Sequence, residues 1–143
     1  MPIRYLLDEH MPLAYRTQLL SRAPSLTIWK IGMPGVPPSG TLDPEILLWC
    51  EANDFILVTN NRKSMPVHLA DHLAAGRHIP GILTVDITRD MAGNLNDLLL
   101  VALAALLVRR ARTPRGRAFA YGGIVFVAAA LAVLADVAQC RIL

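Results

Sequence analysis

The first ninety residues alternate short, largely apolar runs with stretches of mixed polarity. The runs fall at residues 3–7, 26–31, 55–59 and 81–85. Apolar runs of this length, without a polar alternate face, read as strands buried on both sides. Residues 12–22, between the first two, read as a helix with Leu13, Leu19 and Leu20 available for an inner face and Arg16 outside. Residues 32–41 contain Gly32, Pro34, Gly35, Pro37, Pro38 and Gly40 and form a loop. A helix start follows, with Asp43 as N-cap, Pro44 in the first helical position and Glu45 at the positive end of the dipole. That helix is expected to run to Asn53 and to bury Ile46, Leu47 and Cys50. Ser64 and Pro66 open another, which stops at Gly76. Buried strands joined by helices predict a mainly parallel sheet with right-handed crossovers. The expected fold is therefore a three-layer α/β/α domain over residues 1–108.

The pattern changes in the last third of the chain. Residues 98–108 are unbroken apolar, too short to span a bilayer, and read as the last helix of the domain, beginning near Asn94. Residues 109–117 hold five arginines and no acid, and form an Arg-rich linker. Residues 118–135 are eighteen uncharged residues, at the length threshold for a transmembrane helix. We take 118–138 as a C-terminal apolar helix and a candidate single span. The arginines have three readings: phosphate contacts to nucleic acid, a basic linker, or the cytoplasmic flank of that span. A span starting near Ala118 leaves the domain and the arginines together in the cytoplasm, anchored to the inner face of the membrane.

Charge follows the same division. Residues 1–90 carry eight Lys or Arg against nine Asp or Glu, whereas residues 91–143 carry six Arg against two Asp. The net charge of +3 is thus a property of the tail, and the domain itself shows no global basic surface for nucleic acid. The two cysteines, Cys50 and Cys140, lie far apart and make no metal-type pair. Cys50 reads as a buried free thiol, and Arg4, Asp8 and Glu9 interrupt any leader-like apolar stretch, so a reducing, cytosolic setting is expected.

Candidate chemistry sits where strands end. The run Arg4-Tyr5-Leu6-Leu7 stops at Asp8 and Glu9, at the edge where open α/β sheets place their ligands. Carboxylate oxygens there suit a hard cation such as Mg or Mn; the bland alternative is a polar turn that merely stops the strand. The third run ends in Asn60, Asn61, Arg62 and Lys63, where such a site wants another acid. Asn61 can instead orient a phosphate or a base edge, and Lys63 opposes a cation by direct repulsion. His68 and His72 are four apart on the third helix and share a face, as metal-binding helices require, though no zincin-type Glu or Cys ligand accompanies them; they read otherwise as a solvated face or, with Arg62 and Lys63, as a cationic rim suited to phosphate. His10 and His78 stand alone.

The order Leu6-Leu7-Asp8-Glu9, then Asp43-Pro44-Glu45-Ile46-Leu47, then Ile56-Leu57-Val58-Thr59-Asn60-Asn61 resembles the PIN-like nuclease superfamily over residues 3–100. More narrowly it resembles a small bacterial branch associated with toxin–antitoxin loci. The resemblance implies an α/β/α fold and, where active, RNA cleavage by metal-bound water. It places the family's first acid on Asp8 and its helix acid on Asp43 or Glu45, with Asp8 and Asp43 as the metal ligands. The family shows Thr, any residue, then Asp after its third strand and a second Asp shortly after, and this chain has Thr59, Asn60, Asn61 and then Lys63. Asp86 and Asp90, after the fourth strand, are the remaining candidates for a third acid.

Two functions are therefore expected to compete. One is a toxin-type RNA-directed nuclease, or a weakly active derivative of it, with a degraded Mg or Mn site. The other is a non-catalytic module that binds an antitoxin protein or RNA, tethered to a membrane through residues 118–138.

Overall fold

The computed structural model describes residues 3–111. Eight elements alternate strictly: β1 (Arg4–Leu7), α1 (Leu13–Arg22), β2 (Thr27–Lys30), α2 (Asp43–Asn53), β3 (Ile56–Thr59), α3 (Met65–Ala74), β4 (Ile82–Thr84) and α4 (Met91–Ala111). The strands form one parallel sheet in the order β2-β1-β3-β4. Register aligns Leu7 with Lys30 on one side and with Val58 on the other, and Thr59 with Thr84. All four strands therefore end at one edge, which carries Asp8 and the turn after Thr59.

Each face of the sheet has its own core. Tyr5, Leu7, Ile28, Val58 and Leu83 pack with Tyr15 and Leu19 of α1 and Leu95, Leu98 and Ala102 of α4. Leu6, Leu57 and Ile82 pack on the opposite face with Ile46, Leu47 and Cys50 of α2 and Met65 and Leu69 of α3. Two helices thus cover each face, which is the three-layer arrangement expected from strands apolar on both sides. Leu6, Leu47 and Leu57 are wholly buried, each contributing about 1.5–3 kcal/mol of transfer free energy. Two polar side chains inside the α1–α4 layer are hydrogen-bonded. The Tyr5 hydroxyl donates to the Leu98 carbonyl at 2.8 Å. The Asn94 amide donates to the Tyr15 hydroxyl and to the Asp86 carbonyl, which ties the end of β4 to α4.

The outer edge of β2 is closed to further strand pairing at one point, since Arg16 Nε donates to the Ile28 carbonyl at 2.9 Å. The 32–41 loop folds back on itself: Gly32 has φ +92° and donates to the Pro37 carbonyl, and a Cβ there would meet Ser39 Oγ at 2.8 Å. Only glycine fits that position.

Four expectations need correction. Leu13 does not join the inner face; it is 56% exposed, and the buried side chains of α1 are Tyr15 and Leu19. Arg16 is half-buried against β2 rather than outside. Asp43 is not the N-cap of α2. Leu42 holds that place and Pro44 sits within the first turn, so the Asp43 side chain is free of capping duty. Finally, α4 starts at Met91 rather than near Asn94, because the Asp90 carboxylate accepts the Gly93 N–H and begins the helix earlier. The same helix runs past Val108 through Arg109 and Arg110, into the stretch expected to be a linker. Among the described residues no helix is long and apolar enough to cross a membrane. The remainder of the Arg-rich linker and the candidate span at 118–138 lie outside the described residues.

Candidate functional site

The site is built by the ends of β1 and β3 and the first turns of α2 and α3. Parallel pairing carries on one step beyond β1, with the Asp8 N–H donating to the Val58 carbonyl at 2.9 Å. That bond sets Asp8 beside Thr59. The Thr59 hydroxyl donates to Asp8 Oδ2 at 2.6 Å, a short bond to a carboxylate that is almost fully buried. The same hydroxyl oxygen accepts the Asn61 N–H at 3.0 Å. Thr59 therefore joins the β1 carboxylate to the turn after β3.

Asn61 continues the chain of bonds. Its Nδ2 donates to Asp43 Oδ2 at 3.1 Å and to Ser64 Oγ at 2.7 Å, while its Oδ1 accepts the Ser64 N–H at 3.2 Å. Ser64 Oγ in turn donates to Asp43 Oδ2 at 3.3 Å. The orientation of the Asn61 amide follows from these partners, since only the carbonyl oxygen can accept from a backbone N–H. His68 approaches the same carboxylate, with Nε2 3.7 Å from Asp43 Oδ2. On the other side of the edge, His10 Nδ1 lies 3.9 Å from Asp8 Oδ1 and His10 Nε2 lies 4.0 Å from Glu9 Oε1.

The turn that carries Asp8 is clamped from β2. Lys30 Nζ donates to the Asp8 carbonyl at 3.1 Å and also to the Glu9 carbonyl. Glu9 Oε2 accepts the Gly40 N–H at 2.9 Å, which ties the glycine- and proline-rich loop to the same corner. Glu9 is thus occupied as a structural link between β1 and that loop.

Of the predicted site residues, the fold brings Asp8, Asp43 and Asn61 into one hydrogen-bonded group with Thr59 and Ser64. Asn60 is half-buried beside them. Glu45 is exposed in the first turn of α2, outside the bonded group. Arg62 Nη2 pairs with Asp86 Oδ2 at 3.2 Å. Asp86 also accepts the Thr88 N–H and hydroxyl, and these bonds, with Arg62 and Arg89 nearby, hold its carboxyl below the usual carboxylate range. Asp86 is therefore committed to Thr88 and Arg62, and Asp90 to the start of α4. Neither replaces the missing third acid. Lys63 is exposed.

The two α3 histidines separate in role. His72 is buried, with Nε2 3.2 Å from Glu51 Oε2, so the expected solvated or phosphate-facing pair does not exist. Of the two, only His68 lies beside the Asp43 carboxylate. Sequence reasoning passed over His10, Lys30 and the bonding roles of Thr59 and Ser64. The spacing of Asn61 and Ser64, three apart before a helix, is the one local signal that pointed there.

Chemically, the carboxylates are met by donors. Asp8 Oδ2 and Asp43 Oδ2 are both taken by hydroxyl or amide hydrogen, and the Asn61 carbonyl oxygen is turned away toward Ser64. A divalent ion needs several converging oxygen lone pairs. Among the described residues no three His, Cys, Asp or Glu side chains form such a group. The donor set does not fit a Mg or Mn ion held in the family's manner. Comparison with protein-family models, curated proteins and solved structures returned nothing that matches this chain.

Proposed function

We infer that the chain is a PIN-like domain with a degraded acidic metal site, directed at RNA in a toxin–antitoxin setting and at most weakly active as a Mg- or Mn-dependent ribonuclease. The observation that carries this reading is the Asn61 amide, which presents hydrogen to Asp43 where a metal site of that family presents a third acid. The α/β/α layering and the placement of Asp8 beside Thr59 agree with the resemblance in the sequence. RNA would meet the edge through Asn60, Asn61, Arg62 and Lys63, whose amide and cationic groups suit phosphate and base edges. The test is cleavage of single-stranded RNA by the unaltered chain with Mn added. Weak cleavage with measurable binding is expected. Robust cleavage abolished by Asp8→Ala would overturn the degraded-site reading.

One observation favours the binding-module reading, with an antitoxin protein as partner. Leu13, Leu42 and Val67 are 56%, 66% and 59% exposed, and each stands at the start of a helix that leaves the carboxyl edge of the sheet. Ile87 is exposed just after β4 at that edge. Apolar side chains around a polar centre are what a protein partner covers. Under this reading the cytoplasmic domain would be anchored to the membrane by residues 118–138. Loss of partner binding in a Leu42→Asp, Val67→Asp variant that still binds RNA would support it.

A further inference from the structure

The last helix outruns the sheet it packs on. Strands β1, β2 and β3 hold four residues each and span about 13 Å. Helix α4 holds 21 residues and is about 31 Å long. It starts at the carboxyl edge, where Asn94 donates to the Asp86 carbonyl, and runs back over β1, where the Leu98 carbonyl accepts the Tyr5 hydroxyl. Among the described residues its buried members end at Ala102, and Ala105 is the last packed against them. Every residue from Leu98 to Val108 is apolar, and a helix apolar all round is normally covered all round. This one is covered on one side. Leu103 and Leu106 are 52% and 42% exposed. Leu100 and Leu107, half-buried, lie one turn either side of Leu103 on the same stripe.

We propose that residues 118–135 of this chain cover that leucine stripe, folding back on α4 as the second arm of an antiparallel helical hairpin. The connection favours this occupant, since residues 112–117 include Pro114 and Gly116 and have the length of a helix–helix turn. Length favours it too. Residues 118–135 are eighteen uncharged residues, about 27 Å as a helix, enough to run along the apolar half of α4. Shape is the third argument. On a helical period Ala118, Gly122, Val125, Ala129 and Ala132 fall on one stripe of small side chains, against which a ridge of leucines can sit closely. A bilayer suits the segment less well, because half of its residues are Ala or Gly and insertion is driven mainly by Leu, Ile, Phe and Val. The described core is complete by Ala105, so the hairpin adds to a domain that folds without it. Arg112, Arg115 and Arg117 then mark the turn of the hairpin, at the end of α4 remote from the Asp8 edge, and make no contact with a ligand there.

The experiment uses the full chain carrying Ala92→Cys, treated with a short bismaleimide at low protein concentration. Ala92 is exposed in the first turn of α4. The chain has two cysteines of its own, and Cys50 is fully buried, so Cys140 is the thiol left to react with the introduced one. An antiparallel arm that turns at residues 112–117 brings Cys140 back to that first turn. The expected result is a cross-link within one chain, read by mass after digestion. The protein should also stay at the bottom of a flotation gradient with vesicles of phosphatidylcholine and phosphatidylglycerol. Adding Leu103→Asp and Leu106→Asp should abolish most of the cross-link. Both leucines are about half-exposed, so the fold survives these changes, which circular dichroism checks. A cross-link between two chains overturns the proposal in favour of a second copy on the stripe, and flotation with the vesicles overturns it in favour of a membrane. A monomer that forms no cross-link, or a cross-link indifferent to the two aspartates, overturns it as well.

Discussion

Asn61 turns its amide nitrogen toward Asp43, 3.1 Å from Oδ2, and its carbonyl oxygen toward the Ser64 N–H. One side chain thus joins the turn after β3 to the first turns of α2 and α3. An aspartate in that position would place a second carboxylate against Asp43 and leave the Ser64 hydroxyl between two acceptors. Whether this corner suits a cation comes down to which end of this side chain meets the acid.

Thr59 is the link between that group and Asp8, and its removal should be costly. Thr59→Val keeps the shape but takes the hydrogen bond from a carboxylate that is only 7% exposed. Loss of a bond to a buried acceptor costs about 1–3 kcal/mol, and a charged acceptor puts the value in the upper part of that range. Urea unfolding should show that loss with an unchanged m-value. A variant as stable as the parent would mean that water replaces the hydroxyl at Asp8 without penalty.

Much of the fold was legible in the residue pattern. Apolar runs such as Leu6-Leu7 and Ile56-Leu57-Val58 announced strands buried on both faces, and parallel pairing follows from that together with the helices between them. The edge position of Asp8 and Asn61 was legible for the same reason. Asp43 was harder to read. A carboxylate before Pro44 has the local signature of a cap, yet the tertiary partners Asn61 and Ser64 compete for it and win. His72 was misplaced because helical spacing alone puts it on the same face as His68. That shared face meets α2 rather than solvent, so one histidine reaches Asp43 and the other is buried on Glu51. Long-range partners of polar residues leave little trace in a single sequence.

Cys50 should behave as a core group with no chemistry of its own. It is fully buried in the α2 layer, and burial pushes its thiol from 9.0 up to about 12. Native protein should therefore resist alkylation by iodoacetamide, and react once unfolded. The pH consequence has a definite sign. Between about 9 and about 12 the unfolded thiol has lost its proton and the folded one keeps it, so the unfolded state binds fewer protons. This contribution to stability is fully present below about pH 9 and declines as pH rises through that window. Relative to a Cys50→Ala variant, unfolding free energy should fall by about 1.4 kcal/mol per pH unit there. Equal slopes for the two proteins would show that the thiol is not protected.

The tail can be tested apart from the domain. Among the described residues Ala102 is the last buried member of the α1–α4 layer and Ala105 the last packed against it, so a chain ending at Ala111 contains the whole described core. That truncated chain should be soluble and keep the melting behaviour of a folded α/β domain. If residues 118–135 span a bilayer, the full chain should sediment with membranes and resist extraction by high salt, since contacts made by the five arginines alone would be screened. Aggregation of the truncated chain beside a soluble full chain would mean that the tail packs on the domain instead.

The central claim is that Asn61 acts as a donor where a cation site needs an acid, and manganese calorimetry on the unaltered chain and on Asn61→Asp tests it most directly. The unaltered chain should show little heat of binding. The variant should melt lower without metal, by about 1–3 kcal/mol for the repelled pair of carboxylates, and should gain manganese affinity that restores its stability. Tight manganese binding by the unaltered chain, unchanged by Asn61→Asp and lost in Asp8→Ala, would contradict the account.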